Sequence, residues 1–286
     1  MQLLPSAGLV PTSARSLAPM KLYAPTSVAE ALDALREAEN PVVLAGGTDL
    51  VAAFNEGLAP RELVCLAHLP ELRRIHATAT GLSIGAAVTH QSGCTDALVR
   101  EHAGGFAHAW SRISNPRIRF SATLGGNLMA RRVRYEGSIL LTALAAHLEF
   151  ATAEGALRLS PADLWDDNAP ARALLTGIGF ATADLLWFSY ERSMRPLLTL
   201  AASIRRGPQG LSMTCAVATE YLRPAALELA LPGGDLATLA NSARAIAREA
   251  FAQLPDWFHD PVLTRNYAMA AGSVLLARQL AGAAHG

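Results

Sequence analysis

The chain has 286 residues, with 24 basic side chains against 24 acidic ones, and charged residues make up only 17%. Hydrophobic residues reach 51%, enough for two or three compact units rather than one small core. The even charge excludes general nucleic-acid or anionic-membrane binding, which needs a basic excess.

Sparse charge also points to a surface partly covered by another chain. The three cysteines, Cys65, Cys94 and Cys215, lie far apart and match no zinc, iron-sulfur or disulfide spacing. They suit a reducing, cytoplasmic setting. Residues 1–19, broken by Pro5, Pro11 and Pro19, lack the basic start and apolar run of a secretory signal. They read as a flexible N-terminal arm, and nothing later reads as membrane insertion.

In chain order, the first element is a helix from Pro25 to Glu39, with Ser27 and Glu30 spaced as a capping box. Pro41 to Leu44 is a short apolar strand running into Ala45-Gly46-Gly47-Thr48-Asp49 and then a helix. Leu63 to Leu66 is a further strand. Arg74 to Thr78 and Leu82 to Ala86 read as a hairpin through Gly81. Thr89 caps a helix expected to reach Glu101, and a second helix covers Ala103 to Ile113. After a glycine-centred segment, Ser121 to Leu128, comes a helix from Ser138 to Ala146. A hairpin follows, Leu148 to Thr152 with Leu157 to Leu159. The last third holds strands at Leu185 to Tyr190, Leu198 to Arg205 and Leu211 to Ala218, then alanine-rich helices at Leu236 to Leu254 and Thr264 to Leu280. Strands followed by helices give an α+β class.

Two glycine turns carry the chemistry: Ala45-Gly46-Gly47-Thr48-Asp49 and Thr123-Leu124-Gly125-Gly126-Asn127. Absent Cβ atoms let backbone amides approach a ligand's oxygens, and consecutive amides form an anion-binding concavity. A helix opening at Thr48 adds a positive terminus. Either pair alone reads as a tight turn; two of similar make favour a ligand held from both sides. Neither matches the G-x-G-x-x-G fingerprint or a Walker loop. The histidines show no paired metal-ligand spacing, and no serine sits in a nucleophile elbow.

Four strings occur in order: VVLAGGTDL (42–50), HLPELRRI (68–75), GLSIGAAVTH (81–90) and ISNPRIRFSATLGGNL (113–128). Together they resemble the FAD-binding medium subunit of the xanthine dehydrogenase and carbon monoxide dehydrogenase family of molybdenum hydroxylases. The resemblance runs from about Met20 to the C-terminus. It implies a two-lobed, vanillyl-alcohol-oxidase-like (PCMH-type) FAD-binding domain over 20–186, with lobes at about 20–72 and 73–186. A C-terminal domain of a small antiparallel sheet and helices is then expected over 187–286.

The resemblance also assigns roles. Ala45, Gly46, Gly47, Thr48 and Asp49 would hold the FAD diphosphate and nearby ribose through amides and the threonine hydroxyl. Thr123, Leu124, Gly125, Gly126 and Asn127 would do so from the second lobe. Ile113 matches an apolar position packing on the cofactor, and Leu186 a leucine beside the flavin ring. Glu136 stands where such subunits carry an aspartate on the flavin side, and Arg192 is a candidate basic group near the ring. The segment Met129-Ala130-Arg131-Arg132-Val133-Arg134-Tyr135 departs from the family's small residues and proline. Its arginines read either as partners of a phosphate or another chain, or as a solvated basic loop.

Implied with FAD are a large molybdopterin-binding subunit and a small subunit with two-iron two-sulfur clusters. An acceptor such as NAD, a quinone or oxygen would complete the path, and no catalytic side chain is required here. A stand-alone flavin reductase of the same fold and a flavin-free structural or assembly subunit are the alternatives.

Overall fold

A computed structural model describes residues 19–166, 168, 171–193, 197–232, 235–260 and 262–283. Apart from Pro19, the expected arm lies outside the described residues.

The first lobe is a small parallel sheet with helices. Strands β1 (Lys21–Tyr23), β2 (Pro41–Leu44) and β3 (Glu62–Cys65) pair in the order β1-β3-β2, with Lys21 and Pro41 both opposite Glu62. Helix α1 (Val28–Glu37) starts where Ser27 Oγ accepts the Glu30 amide at 3.2 Å. Glu30 reaches back as the box expects, its Oε2 accepting most closely from the Thr26 amide, at 2.7 Å. Ala31, Ala34 and Leu35 of α1 pack on Val64, Leu66, Leu69 and Leu72, each large side chain contributing about 2 kcal/mol by leaving water. Helix α2 (Thr48–Asn55) crosses between β2 and β3.

The second lobe is an antiparallel sheet. Its strands are β4 (Ile75–Ala77), β5 (Gly81–Gly85), β6 (His147–Thr152), β7 (Gly155–Leu159) and β8 (Leu174–Ala181), ordered β4-β5-β8-β6-β7. Its helices are α3 (His90–Thr95), α4 (Ala97–His102), α5 (Gly104–Ser111), α6 (Pro116–Arg119), α7 (Leu124–Met129) and α8 (Glu136–Ala143). The single helix expected from Thr89 to Glu101 is two. Asp96 is extended (φ −62°, ψ 138°), and its carboxylate caps α4 through the amides of Leu98 and Val99; a side chain that satisfies a new helix start outweighs continuation. Helix α8 begins two residues before the expected start and ends early, because Ala145 adopts φ 49°.

Strand β8, the middle of this sheet, was not anticipated. Gly177 and Gly179 interrupt its apolar run, yet the sheet requires them. Gly179 lies opposite His147 and Gly177 opposite Glu149, and a Cβ at Gly179 would meet the His147 ring at 2.5 Å. The partner strand's long side chains lie across the glycines, so packing overrides propensity.

The third sheet has the order β12-β11-β10-β9, built from β9 (Leu185–Arg192), β10 (Leu198–Gly207), β11 (Gly210–Thr219) and β12 (Ala225–Leu231). The last of these was also missed, although Ala225 to Leu231 alternate strictly between buried and exposed, the period-two signature of a half-buried strand. Helices α9 (Leu236–Ala252) and α10 (Arg265–Gly282), capped by Asp235 and Thr264, cover one face. The other face meets the second lobe. Ser203 Oγ donates to the Ala143 carbonyl at 2.6 Å, and Arg205 donates to the carbonyls of Leu144 and Ala181, both at 3.0 Å. Phe188 of β9 joins the buried aromatic cluster of Phe106, Trp110 and Phe180, its ring 5.9 Å from Phe106. Among the described residues no helix is long and apolar enough to cross a membrane.

Candidate functional site

The two glycine turns come from different lobes and meet at one cleft. Its wall includes Ala45 and Gly46 from the first lobe and Ser121 and Thr123 from the second, around a volume of about 190 Å³. Gly46 makes the approach possible. A Cβ there would overlap the Ser121 carbonyl and stand 3.0 Å from Ala122 Cα. Gly125 serves the same purpose inside the second lobe, where a Cβ would lie 2.6 Å from the Ala86 carbonyl oxygen. These two glycines let backbone meet backbone.

The outer member of each pair is different. Gly47 has φ 73° and caps α2 by its backbone alone, and among the described residues no side chain is seen bonding to the first amides of the helix. The first amides of α2 therefore remain open to a ligand. Among the described residues, a Cβ at Gly126 would meet only Thr123 Oγ1, at 2.8 Å.

The second turn does not repeat the first. The Leu124 amide donates to the Val88 carbonyl at 3.0 Å and the Gly125 amide to the Ala86 carbonyl at 2.9 Å. Thr123 Oγ1 takes the Gly126 amide at 3.0 Å. These donors, expected to face a diphosphate, are spent inside the protein, because the buried α7 terminus must satisfy its own N–H groups and the carbonyls that follow β5 lie within reach. Leu124 is 1% exposed and belongs to the core of the second lobe. Ile113, expected to pack on a cofactor, is also a core side chain, 2% exposed. Asn127 holds the start of α8, its Oδ1 accepting the Gly137 amide at 3.1 Å.

Asp49 lies in the first turn of α2. Its Oδ1 accepts from Arg132 Nε at 3.1 Å and from Tyr135 Oη at 2.7 Å. Burial, and then this carboxylate, push the Tyr135 hydroxyl up to about 12. The departing segment after the second turn is thus a strap that reaches the first lobe. Arg132 is not a free, solvated arginine.

Glu136 forms a second polar group with β9. Its Oε1 is 3.4 Å from both Tyr190 Oη and Arg192 Nη1, and the Arg112 guanidinium sits 5.6 Å from the Tyr190 ring centre. Burial raises the Glu136 carboxyl above the usual carboxylate range, because desolvation disfavours the charged form. The same burial, with Glu136 beside it, raises Tyr190. Leu186 is 38% exposed on the same strand. It stands four residues, about 13 Å of strand, before Tyr190, so it does not join the Glu136 group.

Six cleft residues were not among the candidate site residues: Leu66, Arg73, Ala87, Thr89, Phe120 and Ser121. All but Leu66 sit within strings already singled out, but only the fold brings them to one cleft with Gly46. Phe120 is an aromatic side chain 67% exposed at the cleft, and exposure is invisible in a linear sequence.

His90 anchors the wall beside Thr89. Its amide donates to the Ala122 carbonyl at 2.9 Å, and its Nδ1 accepts from Trp110 Nε1 at 2.7 Å, so the neutral ring carries its proton on Nε2. Burial, then nearby Arg119, lowers its pKa to about 4 from 6.5. The unfolded chain binds this proton first, so the contribution of His90 to stability is flat above pH 6.5 and falls between 6.5 and 4. The expected loss by pH 4 is about 3 kcal/mol, checked by urea unfolding across that range. A His90→Gln variant should lose the steepest part of the slope.

Fold and cleft together define a PCMH-type FAD-binding flavoprotein. A family model described as the FAD binding domain in molybdopterin dehydrogenase matches residues 18–178, and the chain belongs to that family. It is 29% identical over 149 residues to the nicotinate dehydrogenase FAD-subunit of Eubacterium barkeri, an alignment covering 51% of this chain and 50% of that one. It is 35% identical over 104 residues to the xanthine dehydrogenase FAD-binding subunit of Escherichia coli O157:H7, covering 36% of each. The chain thus spans about half or less of the length of these curated relatives. Quinoline 2-oxidoreductase from Pseudomonas putida 86 shares the fold over 95% of this chain and 99% of that one, with a TM-score of 0.79 at 22% identity. Carbon monoxide dehydrogenase from Hydrogenophaga pseudoflava follows the same path, with a TM-score of 0.75 at 19% identity.

The residues present fit FAD at the first turn. An uncapped helix terminus beside a positive-φ glycine supplies free amides for a diphosphate. At the second turn the fit lies in the small surface of Gly126 rather than in donated amides.

Proposed function

We propose that this chain is the flavin subunit of a molybdenum-containing hydroxylase complex. It takes electrons from iron-sulfur clusters in a small partner subunit, themselves fed by a large molybdopterin-binding subunit, and passes them to an acceptor such as NAD, a quinone or oxygen. The observation that carries the reading is the meeting of Gly46 with Ser121 and Ala122 across the lobes, which sets the open α2 terminus at the cleft. FAD, when bound, accepts electrons one at a time and passes two on together.

The chain's own residues position it. Amides of Gly47, Thr48 and Asp49 grip the diphosphate, with Ala45 and Gly46 forming the floor. Thr123, Gly126 and Asn127 bound it from the second lobe, with Leu124, Gly125 and Ile113 as the apolar backing. The buried carboxyl of Glu136, beside Tyr190 and Arg192, would lie toward the flavin end, and Leu186 would shield the ring at its margin. On this reading 20–186 is the FAD domain, with lobes 20–72 and 73–186, and 187–286 is the C-terminal domain. The sheet join falls slightly earlier than that border, since β9 begins at Leu185. Cys65, Cys94 and Cys215 sit on three different elements and are unpaired, which supports a reducing, cytoplasmic setting and clusters carried by another chain.

The test is purification of the chain with its co-expressed neighbours, followed by a visible spectrum and flavin stoichiometry. About one FAD per chain is expected; an intact complex without flavin would leave the structural-subunit alternative. Gly126→Val should lose FAD while keeping its fold, at a cost of about 1 kcal/mol for the disturbed Thr123 cap. Flavin content equal to that of the parent would remove this position from the site.

A further inference from the structure

The strap from Met129 to Tyr135 returns to the first lobe at Asp49 and Glu56. Arg132 and Tyr135 both donate to Asp49 Oδ1, at 3.1 and 2.7 Å. Arg132 and Asp49 are only 35% and 30% exposed, and the far end of Arg132 is 3.8 Å from Glu56. Asp49 itself lies in the first turn of α2, two residues beyond Gly47.

That placement poses an electrostatic conflict. A carboxylate in a helix's first turn favours the helix, because it offsets the positive terminus. The same carboxylate opposes any second anion brought to that terminus. A diphosphate on the Gly47, Thr48 and Asp49 amides would sit within one helical turn of it, a distance at which like charges repel appreciably even in a high-dielectric cleft.

We propose that Arg132 and Tyr135 are positioning residues for the cofactor: Arg132 offsets the Asp49 charge and Tyr135 helps to hold that carboxylate, so that the α2 terminus can receive an anionic diphosphate. Arg132 acts through Asp49 and not by touching phosphate. The proposal rests on the FAD reading and adds to it a reason for the arginine-bearing strap. Tyr135 supplies the second bond without adding charge, and its phenol stays protonated because burial and Asp49 both raise its pKa.

The experiment titrates the flavin-stripped full-length chain with FAD, following flavin fluorescence at fixed ionic strength. The set is the parent, Arg132→Met, Asp49→Asn, the double variant and Tyr135→Phe, with circular-dichroism melts as the folding control. Arg132→Met should weaken binding about tenfold, with added salt reducing the defect. Asp49→Asn should bind at least as tightly as the parent. The double variant should return to within about twofold of Asp49→Asn, because the uncompensated charge is gone. Tyr135→Phe should weaken binding by about twofold to fivefold, the loss of one hydrogen bond to a charged group in a partly exposed site.

A double variant as weak as Arg132→Met overturns the proposal, since Arg132 would then serve the phosphate directly. Weaker binding by Asp49→Asn overturns it too, and that arm needs no Arg132 variant to fold. A parent chain that binds no FAD overturns the function as well as this inference. Normal binding by the parent with unchanged variants overturns the inference alone.

Discussion

Gly46→Ala is expected to unseat the first lobe from the second and to abolish flavin binding with it. The added methyl would overlap the Ser121 carbonyl and crowd Ala122 Cα at 3.0 Å. Both obstacles are backbone, held in turn by Ser121 and Ala122 amides donating to the Ile118 carbonyl at 3.0 and 2.8 Å. Neither can rotate away as a flexible side chain would, so the strain falls on the lobe contact. A cost above about 3 kcal/mol is expected, at the upper end of overpacking penalties. This corresponds to a fall in Tm of at least about 6 °C for a chain of this size. Gly57→Ala is the control: Gly57 has φ 106° but nothing within 4 Å, so alanine there bears only the left-handed backbone penalty of about 1–2 kcal/mol. Flavin content should fall to background in the first variant and stay normal in the second. Equal melting and flavin content in Gly46→Ala and the parent would refute the lobe contact.

Trp110→Ala carries the largest expected loss of stability. Trp110 is 0% exposed, stacked on Phe106 at 5.2 Å and 30°, and bonded to His90. Its ring also fills the space that Gly93 leaves, since a Cβ on Gly93 would fall inside the indole. Removing a fully buried tryptophan costs about 3–5 kcal/mol through lost transfer energy and the cavity left behind. The abandoned Nδ1 of His90 adds about 1–3 kcal/mol, as a buried acceptor without its donor. Trp110→Phe keeps most of the ring and should recover about half of the deficit, leaving mainly the orphaned histidine. Urea unfolding at pH 7 measures all three chains. A deficit under about 1 kcal/mol in Trp110→Ala would show that the site collapses freely and does not brace the cleft wall at Thr89.

These two variants mark where sequence reading succeeds and where it stops. The helix of Val28–Glu37, the strand of Pro41–Leu44, and the hairpins at Gly81 and Gly155 follow from local pattern: apolar spacing, a capping serine, a glycine between alternating runs. Local chemistry suffices where an element's signal lies within its own residues. Strand β8 fails that condition, because its glycines make sense only beneath His147 and Glu149 of another strand. The helix break at Asp96 was locally encoded but outweighed by the apolar periodicity on either side.

The candidate site divides in the same way. Both glycine turns were legible, since glycine pairs beside a hydroxyl restrict the backbone whatever surrounds them. Their inequality was not. That the α7 amides are consumed by Val88, Ala86 and Thr123, while the α2 terminus stays open, depends on which carbonyls come within reach. The pairing of Arg132 and Tyr135 with Asp49 spans more than eighty positions, and a loop of arginines reads the same whether it is solvated or clasped.

From its own letters the sequence determined the α+β class, the run of family strings, the two turns, an even charge and three cysteines far apart in the chain. The tertiary structure alone decided which glycines serve packing, which carboxylates pair with arginines, and which residues, Arg73 and Phe120 among them, wall the cleft. The physical reason is range. Propensity and capping act within a few residues, whereas desolvation, backbone overlap and charge pairing depend on distances in space that chain position does not encode.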